Sequence, residues 1–170
     1  MSRSAFRRIV FVIGTYRKTT LEQIEFMRQQ GFKVSRPRMK KPNEIDIFSF
    51  KLDKDKGYIT AKFISSLKNY DALVISGGET SSYILKKARF SHIINWYCPQ
   101  PLIGSGFISG GLLDGKFVIL KGGLTGDRTI YMKFVNFLRS SSAELVRWRR
   151  SLELQGKLAS RLREKPLSKN

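Results

Sequence analysis

The chain has 170 residues, 41% of them hydrophobic and 26% charged, which fits one globular domain and excludes disorder, collagen-like repeats and low complexity. One cysteine, Cys98, and one histidine, His92, exclude a disulfide framework and a zinc knuckle, and predict a reducing, cytoplasmic setting. The formal net charge of +19 calls for a polyanionic partner: nucleic acid, an acidic membrane or a phosphorylated small molecule.

That charge is concentrated at the two ends. Residues 1–41 carry 11 basic and 2 acidic side chains, residues 139–170 carry 9 and 3, and the middle is close to balanced. The apolar run after the basic N-terminus, Ile9 to Ile13, is too short for a signal peptide, and no stretch approaches the ~18 apolar residues of a membrane span. The expectation is a soluble chain.

In chain order, Ile9 to Ile13 is a continuous β-branched and aromatic run, as in a parallel strand buried on both faces. Thr19 to Gln30 reads as a helix, with a Thr19/Glu22 capping box, apolar contacts from Leu21, Ile24, Phe26 and Met27, and Gly31 at the stop. Phe32 to Val34 is a short strand, and Ile45 to Phe50 an alternating, edge-like one, with Asp46, Asp53 and Asp55 read as a solvated face. Tyr58 to Leu67 has helical spacing. Asp71 to Ile75 is another buried strand, Ser81 to Ala88 a helix, and Ile93 to Tyr97 and Phe117 to Leu120 two more strands. Asp127 to Leu138 closes the pattern as a helix with Ile130, Phe134, Phe137 and Leu138 inward. Alternating strands and helices predict an α/β domain over residues 1–140, with a mostly parallel sheet and helices on both faces. Residues 141–170 read as a basic tail, helical or partly disordered, with Leu145, Trp148, Leu152, Leu158 and Leu162 on a rough stripe.

Ten of the 14 glycines fall between Gly77 and Gly126. Two glycine loops follow predicted strands and precede predicted helices: Ser76-Gly77-Gly78-Glu79-Thr80-Ser81, and Lys121-Gly122-Gly123-Leu124-Thr125-Gly126. At the carboxyl end of an open α/β sheet such loops aim backbone N–H groups at an anion, and Lys121 adds a point charge, so the expected ligand is a phosphate. Two familiar fingerprints fail. Gly110 to Lys116 has the spacing G-x-x-x-x-G-K, but Phe117 stands where a magnesium-binding hydroxyl belongs and a strand follows. The dinucleotide pattern needs three glycines after the first strand, where only Gly14 occurs. His92 has no triad partners, Cys98 reads as a small packed residue, no carboxylate pair is placed for acid–base work, and no metal site is expected. No nucleic-acid recognition module is present either.

The order Val74 to Ser81, Pro101 to Gly106, Gly110 to Gly115 and Leu120 to Asp127, preceded by Ile13-Gly14-Thr15 with Thr20, Gln23 and Ile24, resembles the C-terminal nucleotide-binding domain of the four-carbon acid sugar kinases. These enzymes phosphorylate threonate, erythronate or 3-oxo-tetronate with ATP. The resemblance runs from about Arg8 to Leu138 and leaves the basic tail outside. It implies that Gly14, Thr15, the Ser76 to Thr80 loop, Lys121 and the Gly122–Gly123 turn contact ATP, that Mg2+ arrives with the nucleotide, and that Glu79 reaches the ribose or a magnesium-bound water. The family's first loop carries Ser-Gly-Ser and a proline where this chain has Ile13-Gly14-Thr15 and Lys18, and Leu102, Leu124 and Thr125 also depart from its pattern. The family's N-terminal domain, with its Asp-Asp-x-Thr-Gly motif and sugar-acid site, has no counterpart in these 170 residues. The catalytic residues are therefore unassigned, and a separate sugar-acid-binding domain or polypeptide is implied; self-association is left open. The alternative reading is a non-catalytic basic module using Arg7, Arg8, Arg36, Arg38, Lys40, Lys41 and the tail arginines to hold nucleic acid or a protein partner.

Overall fold

A computed structural model describes residues 6–14, 16–100 and 102–139, the side chains of 95–100 excepted; the expected tail, residues 141–170, and Thr15 lie outside the described residues. Within them the chain is α/β. Seven strands form one sheet in the order β2-β3-β1-β4-β7-β6-β5: β1 (Ile9–Ile13), β2 (Val34–Ser35), β3 (Ile45–Ser49), β4 (Ala72–Ser76), β5 (His92–Gln100), β6 (Ile103–Ser109) and β7 (Phe117–Lys121). From β2 through β7 the neighbours run parallel, and β6 and β5 add an antiparallel hairpin at one edge.

β1 sits in the middle, and all five of its side chains are fully buried. Successive Cβ atoms point to opposite faces of a sheet, so this strand needs cover on both sides. Ile9, Phe11 and Ile13 pack with Ile24 and Met27 of α1 (Lys18–Gln29) and with Tyr131, Val135 and Leu138 of α5 (Ile130–Arg139). Val10 and Val12 face the other way, onto Phe63 and Ile64 of α3 (Ala61–Ser66) and Ile84 and Leu85 of α4 (Gly78–Lys87). Helices therefore cover both faces. A one-turn helix, α2 (Leu52–Asp55), follows β3.

Several elements differ from the sequence expectation, each for a physical reason. α1 begins at Lys18 with Arg17 as its N-cap and no side-chain cap, so the Thr19/Glu22 box does not form. Its buried face is Thr20, Gln23, Ile24 and Met27, whereas Leu21 is 43% exposed: two polar residues face inward because they bond to another loop, described below. β6 runs through Gly104-Ser105-Gly106, where small residues hide the strand pattern. The helix before β4 is shorter than its spacing suggested and is flanked by 3-10 turns at Lys56–Tyr58 and Leu67–Asn69. In α5 Tyr131 and Val135 are buried and Phe137 is half-exposed.

Asp46 is the largest correction. β3 lies between β2 and β1 rather than at an edge, and Asp46 is only 3% exposed. Its carboxylate accepts from the Tyr70 hydroxyl at 2.6 Å and from the Asn43 backbone N–H and Nδ2 at 3.0 and 2.9 Å, and it pairs with Lys40. Burial alone would raise its pKa; the bonds from Lys40, Tyr70 and Asn43 outweigh burial and hold it below the ordinary carboxylate value. The cluster pins the basic segment between β2 and β3 onto the domain. A carboxyl held down in the folded state supplies stability at neutral pH that is lost as pH falls through that depressed value. Asp46→Ala is expected to cost about 2–4 kcal/mol at pH 7, because it strands a buried hydroxyl and a half-buried ammonium, and Tyr70→Phe about 1–2 kcal/mol. Denaturant melts at pH 7 and pH 3 check this: the cost of Asp46→Ala should shrink at pH 3, and a pH-independent cost would refute the charge-based account.

Candidate functional site

Parallel order brings the carboxyl ends of β1, β4 and β7 side by side, and with them both glycine loops and Gly14. The three ends are stitched together by backbone. The Gly14 N–H donates to the Ser76 carbonyl at 3.1 Å, the Gly77 N–H to the Lys121 carbonyl at 2.9 Å, and the Gly122 N–H to the Leu102 carbonyl at 2.9 Å. Those three amides extend the sheet and are not offered to a ligand.

The first turn of α4 leaves further amides over. Gly77 takes φ 108°, a conformation side chains disfavour, and this turns the chain so that α4 starts at once, three residues earlier than the sequence suggested. No side chain caps α4, and its first-turn N–H groups, at Gly78, Glu79 and Thr80, have no acceptor within the helix. Gly78 and Glu79 are exposed. A Cβ built on Gly78 meets nothing within 4 Å, so open space lies over the helix N-terminus. Gly14 is the reverse: a Cβ there would stand 1.9 Å from Thr80 Oγ1, so only glycine lets the end of β1 press against the first turn of α4.

The second loop is held from beneath. Thr20 Oγ1 donates to the Gly123 carbonyl at 2.7 Å, and Gln23 Nε2 to the carbonyls of Thr125, Gly126 and Asp127 at 3.1, 3.0 and 3.1 Å. The loop thus turns its carbonyls inward to α1. Asp127 closes the turn that leads into α5, accepting from the Thr129 N–H at 2.8 Å and Thr129 Oγ1 at 2.6 Å; with Lys133 at 2.6 Å, these bonds hold its carboxyl down at about 2. Lys121 is 2% exposed. Its Nζ donates to the Gly122 carbonyl at 2.8 Å and lies 5.3 Å from the centre of the Tyr131 ring. Burial, with no carboxylate to offset it, pushes the Lys121 ammonium down to about 8. The Tyr131 hydroxyl donates to Ser76 Oγ at 2.8 Å, and burial pushes that phenol up against the opposing bonds to Ser76 and Thr20. A buried polar chain, Ser76 to Tyr131 to Thr20 to Gly123, therefore links the two glycine loops.

Of the residues singled out from sequence, Gly78 and Glu79 face solvent, Gly14, Gly122 and Gly123 are half-buried, and Ser76, Gly77, Thr80 and Lys121 are buried beneath them. Sequence reasoning named Thr20 and Gln23 only as part of the family resemblance and gave no role to Tyr131; a tyrosine and two polar residues on the inner faces of α5 and α1 were the available signal. The Gly110 to Lys116 turn joins β6 to β7 at the opposite, amino end of the parallel strands, where an open depression lined by Gly31, Pro42, Asn43 and Arg139 also lies. Among the described residues no three His, Cys, Asp or Glu side chains group to hold a metal, and no helix is long and apolar enough to cross a membrane.

No protein-family model matches the chain, and no curated protein does. Solved structures do. A Bordetella bronchiseptica protein described as a domain of unknown function, DUF1537, with bound citrate in a domain-swapped dimer, superposes with a TM-score of 0.63 at 13% identity, over 79% of this chain and 41% of that one. A second crystal form of the same protein gives 0.61 at 14% identity, over 78% and 39%. A Haemophilus influenzae DUF1537 protein gives 0.53 at 17%, over 74% and 39%. DUF1537 proteins form the four-carbon acid sugar kinase family, and at these identities the likeness establishes a shared fold. This chain spans about two fifths of the length of those neighbours.

The buried lysine has a measurable consequence. Its folded pKa lies below the ordinary value of 10.5, so between about 8 and 10.5 the unfolded chain binds a proton the folded chain does not, and stability rises with pH there. Below about pH 8 the full penalty of burying the ammonium is present. Lys121→Met is therefore expected to gain stability relative to the parent at pH 7, and to lose about 2–3 kcal/mol of that advantage by pH 10. Urea melts of both proteins across this range check it; a difference that stays constant with pH would contradict the burial account.

Proposed function

We propose that this chain is the ATP-binding half of a four-carbon acid sugar kinase, transferring phosphate to a sugar-acid hydroxyl once a separate substrate-binding domain is in place. The single observation that carries the reading is the bare N-terminus of α4, with Gly78 opening on free space. A helix start with unpaired N–H groups and its positive dipole end is a phosphate site by its own chemistry. Gly78, Glu79 and Thr80 supply the amides. Gly77 and Gly14 allow the backbone geometry, and Ser76, through Tyr131, keeps the first loop in register with the Gly122–Gly123 turn. Lys121 acts through its field from below rather than by contact, since its Nζ is held by the Gly122 carbonyl.

Glu79 is the exposed carboxylate in the first turn of α4. One carboxylate fits a magnesium ion that arrives already held by the nucleotide's phosphates, because Mg2+ keeps several waters and takes few protein ligands. The magnesium supplies charge neutralisation between phosphates when bound. In-line transfer further requires an acceptor and a base held opposite the phosphate. The likeness to proteins more than twice as long supports a reading in which those groups come from another domain or polypeptide, in a cytoplasmic setting where ATP is abundant.

Calorimetry of the full chain with magnesium and ATP at near-physiological salt tests this. Saturable one-site binding is expected, weakened at least tenfold by Gly78→Val with the melting temperature nearly unchanged, since the added side chain occupies ligand space and no protein atom. A folded parent that takes up no nucleotide, or a Gly78→Val variant that binds at full strength, would contradict the assignment.

A further inference from the structure

We infer that the rim formed by the carboxyl ends of β1, β3 and β2 is a binding surface for single-stranded nucleic acid, separate from the α4 phosphate site. Side-chain contacts and chain continuity join this strip. Tyr16, just after β1, carries the Lys51 ammonium 4.9 Å from its ring centre. Lys51 leads into α2 and the following turn, which bring Lys54, Lys56 and Tyr58. Tyr58 in turn carries the Arg36 guanidinium 5.5 Å from its ring centre, and Arg36, just after β2, donates to the Tyr58 hydroxyl at 3.2 Å. Arg17 and Lys18 extend the strip on the β1 side.

Six cations therefore stand against two carboxylates, Asp53 and Asp55, and Asp55 accepts from the Lys51 backbone N–H at 2.8 Å. Among the described residues none of the six pairs with a carboxylate, in contrast to Arg28, Lys40, Lys133 and Arg139, which all do. Tyr16 and Tyr58 are 40% and 43% exposed, far more than a core tyrosine such as Tyr131. Unpaired cations alone would take any polyanion. Two exposed rings set among them add what a flexible strand with unstacked bases can use, because every base has a face to stack while the cations follow its phosphates. A duplex offers no such faces, which favours the single strand.

The full chain, titrated into an end-labelled 12-residue oligouridylate and followed by anisotropy at several salt concentrations, provides the test. Binding is expected to weaken steeply with salt, with a slope near −0.7 per cation engaged. Lys51→Ala/Lys54→Ala/Lys56→Ala should reduce that slope by about 2. Tyr16→Ala/Tyr58→Ala should weaken binding about tenfold or more with the slope unchanged. A duplex of equal length should bind more weakly than the single strand, and the tyrosine pair should not affect it. All five residues are exposed, so circular dichroism melts of both variants should match the parent and keep the comparison about the surface. The inference is overturned if both variants bind as the parent does, which would place the affinity elsewhere in the basic chain. It is also overturned if duplex and single strand bind equally, or if the chain takes anionic phosphatidylserine vesicles and no oligonucleotide. Magnesium–ATP binding, measured separately, is independent of every one of these outcomes.

Discussion

The complete burial of β1 is the constraint on which the rest of the structure depends. Five consecutive apolar residues, Ile9 to Ile13, can be hidden only if the strand has neighbours on both sides and helices over both faces. Crossover connections then return the chain so that β3, β1, β4 and β7 all point the same way. Their carboxyl ends must gather at one edge, and whatever chemistry the chain has is drawn to that edge. Burying a strand of this kind fixes where a ligand can sit before any polar residue is chosen.

At that edge the backbone decides more than the side chains do. Gly14, Gly77 and Gly122 spend their amides lengthening the sheet, while the first turn of α4 keeps free donors. The second glycine loop is held from the inside. Its carbonyls are taken by Thr20, Gln23 and Lys121, and the Tyr131 hydroxyl ties that support to Ser76 beneath the first loop. Buried polar networks are costly when half satisfied, so removing one member should loosen both loops together. Among the described residues two atoms of this support are buried without a partner: Gln23 Oε1, opposite an amide nitrogen shared among three carbonyls, and Thr125 Oγ1 in the loop that Gln23 holds.

The fold was legible where hydrophobic runs are long and glycine marks a strand end. Ile9 to Ile13, Ala72 to Ser76 and Phe117 to Lys121 stand out by composition, and Gly77-Gly78 by position. What escaped reading shares one cause: residues whose polarity advertises solvent but whose partners lie far along the chain. Asp46 is buried because Tyr70, Asn43 and Lys40 supply its bonds, and Thr20 and Gln23 face inward because a loop about a hundred residues later supplies theirs. Gly104-Ser105-Gly106 escaped for the opposite reason, since small residues carry no pattern even in a well-paired strand. The site was half legible. Its glycines could be listed, but which of their amides remain free depends on hydrogen bonds that only the assembled sheet reveals.

The most direct measurement is a map of backbone amide chemical shifts in the full chain as magnesium and ATP are added. The account predicts the largest changes at Gly78, Glu79 and Thr80, with smaller ones at Gly14 and Gly123 passed through the contacts beneath. Changes confined to the rim around Tyr16, Lys51 and Tyr58, with α4 silent, would contradict it.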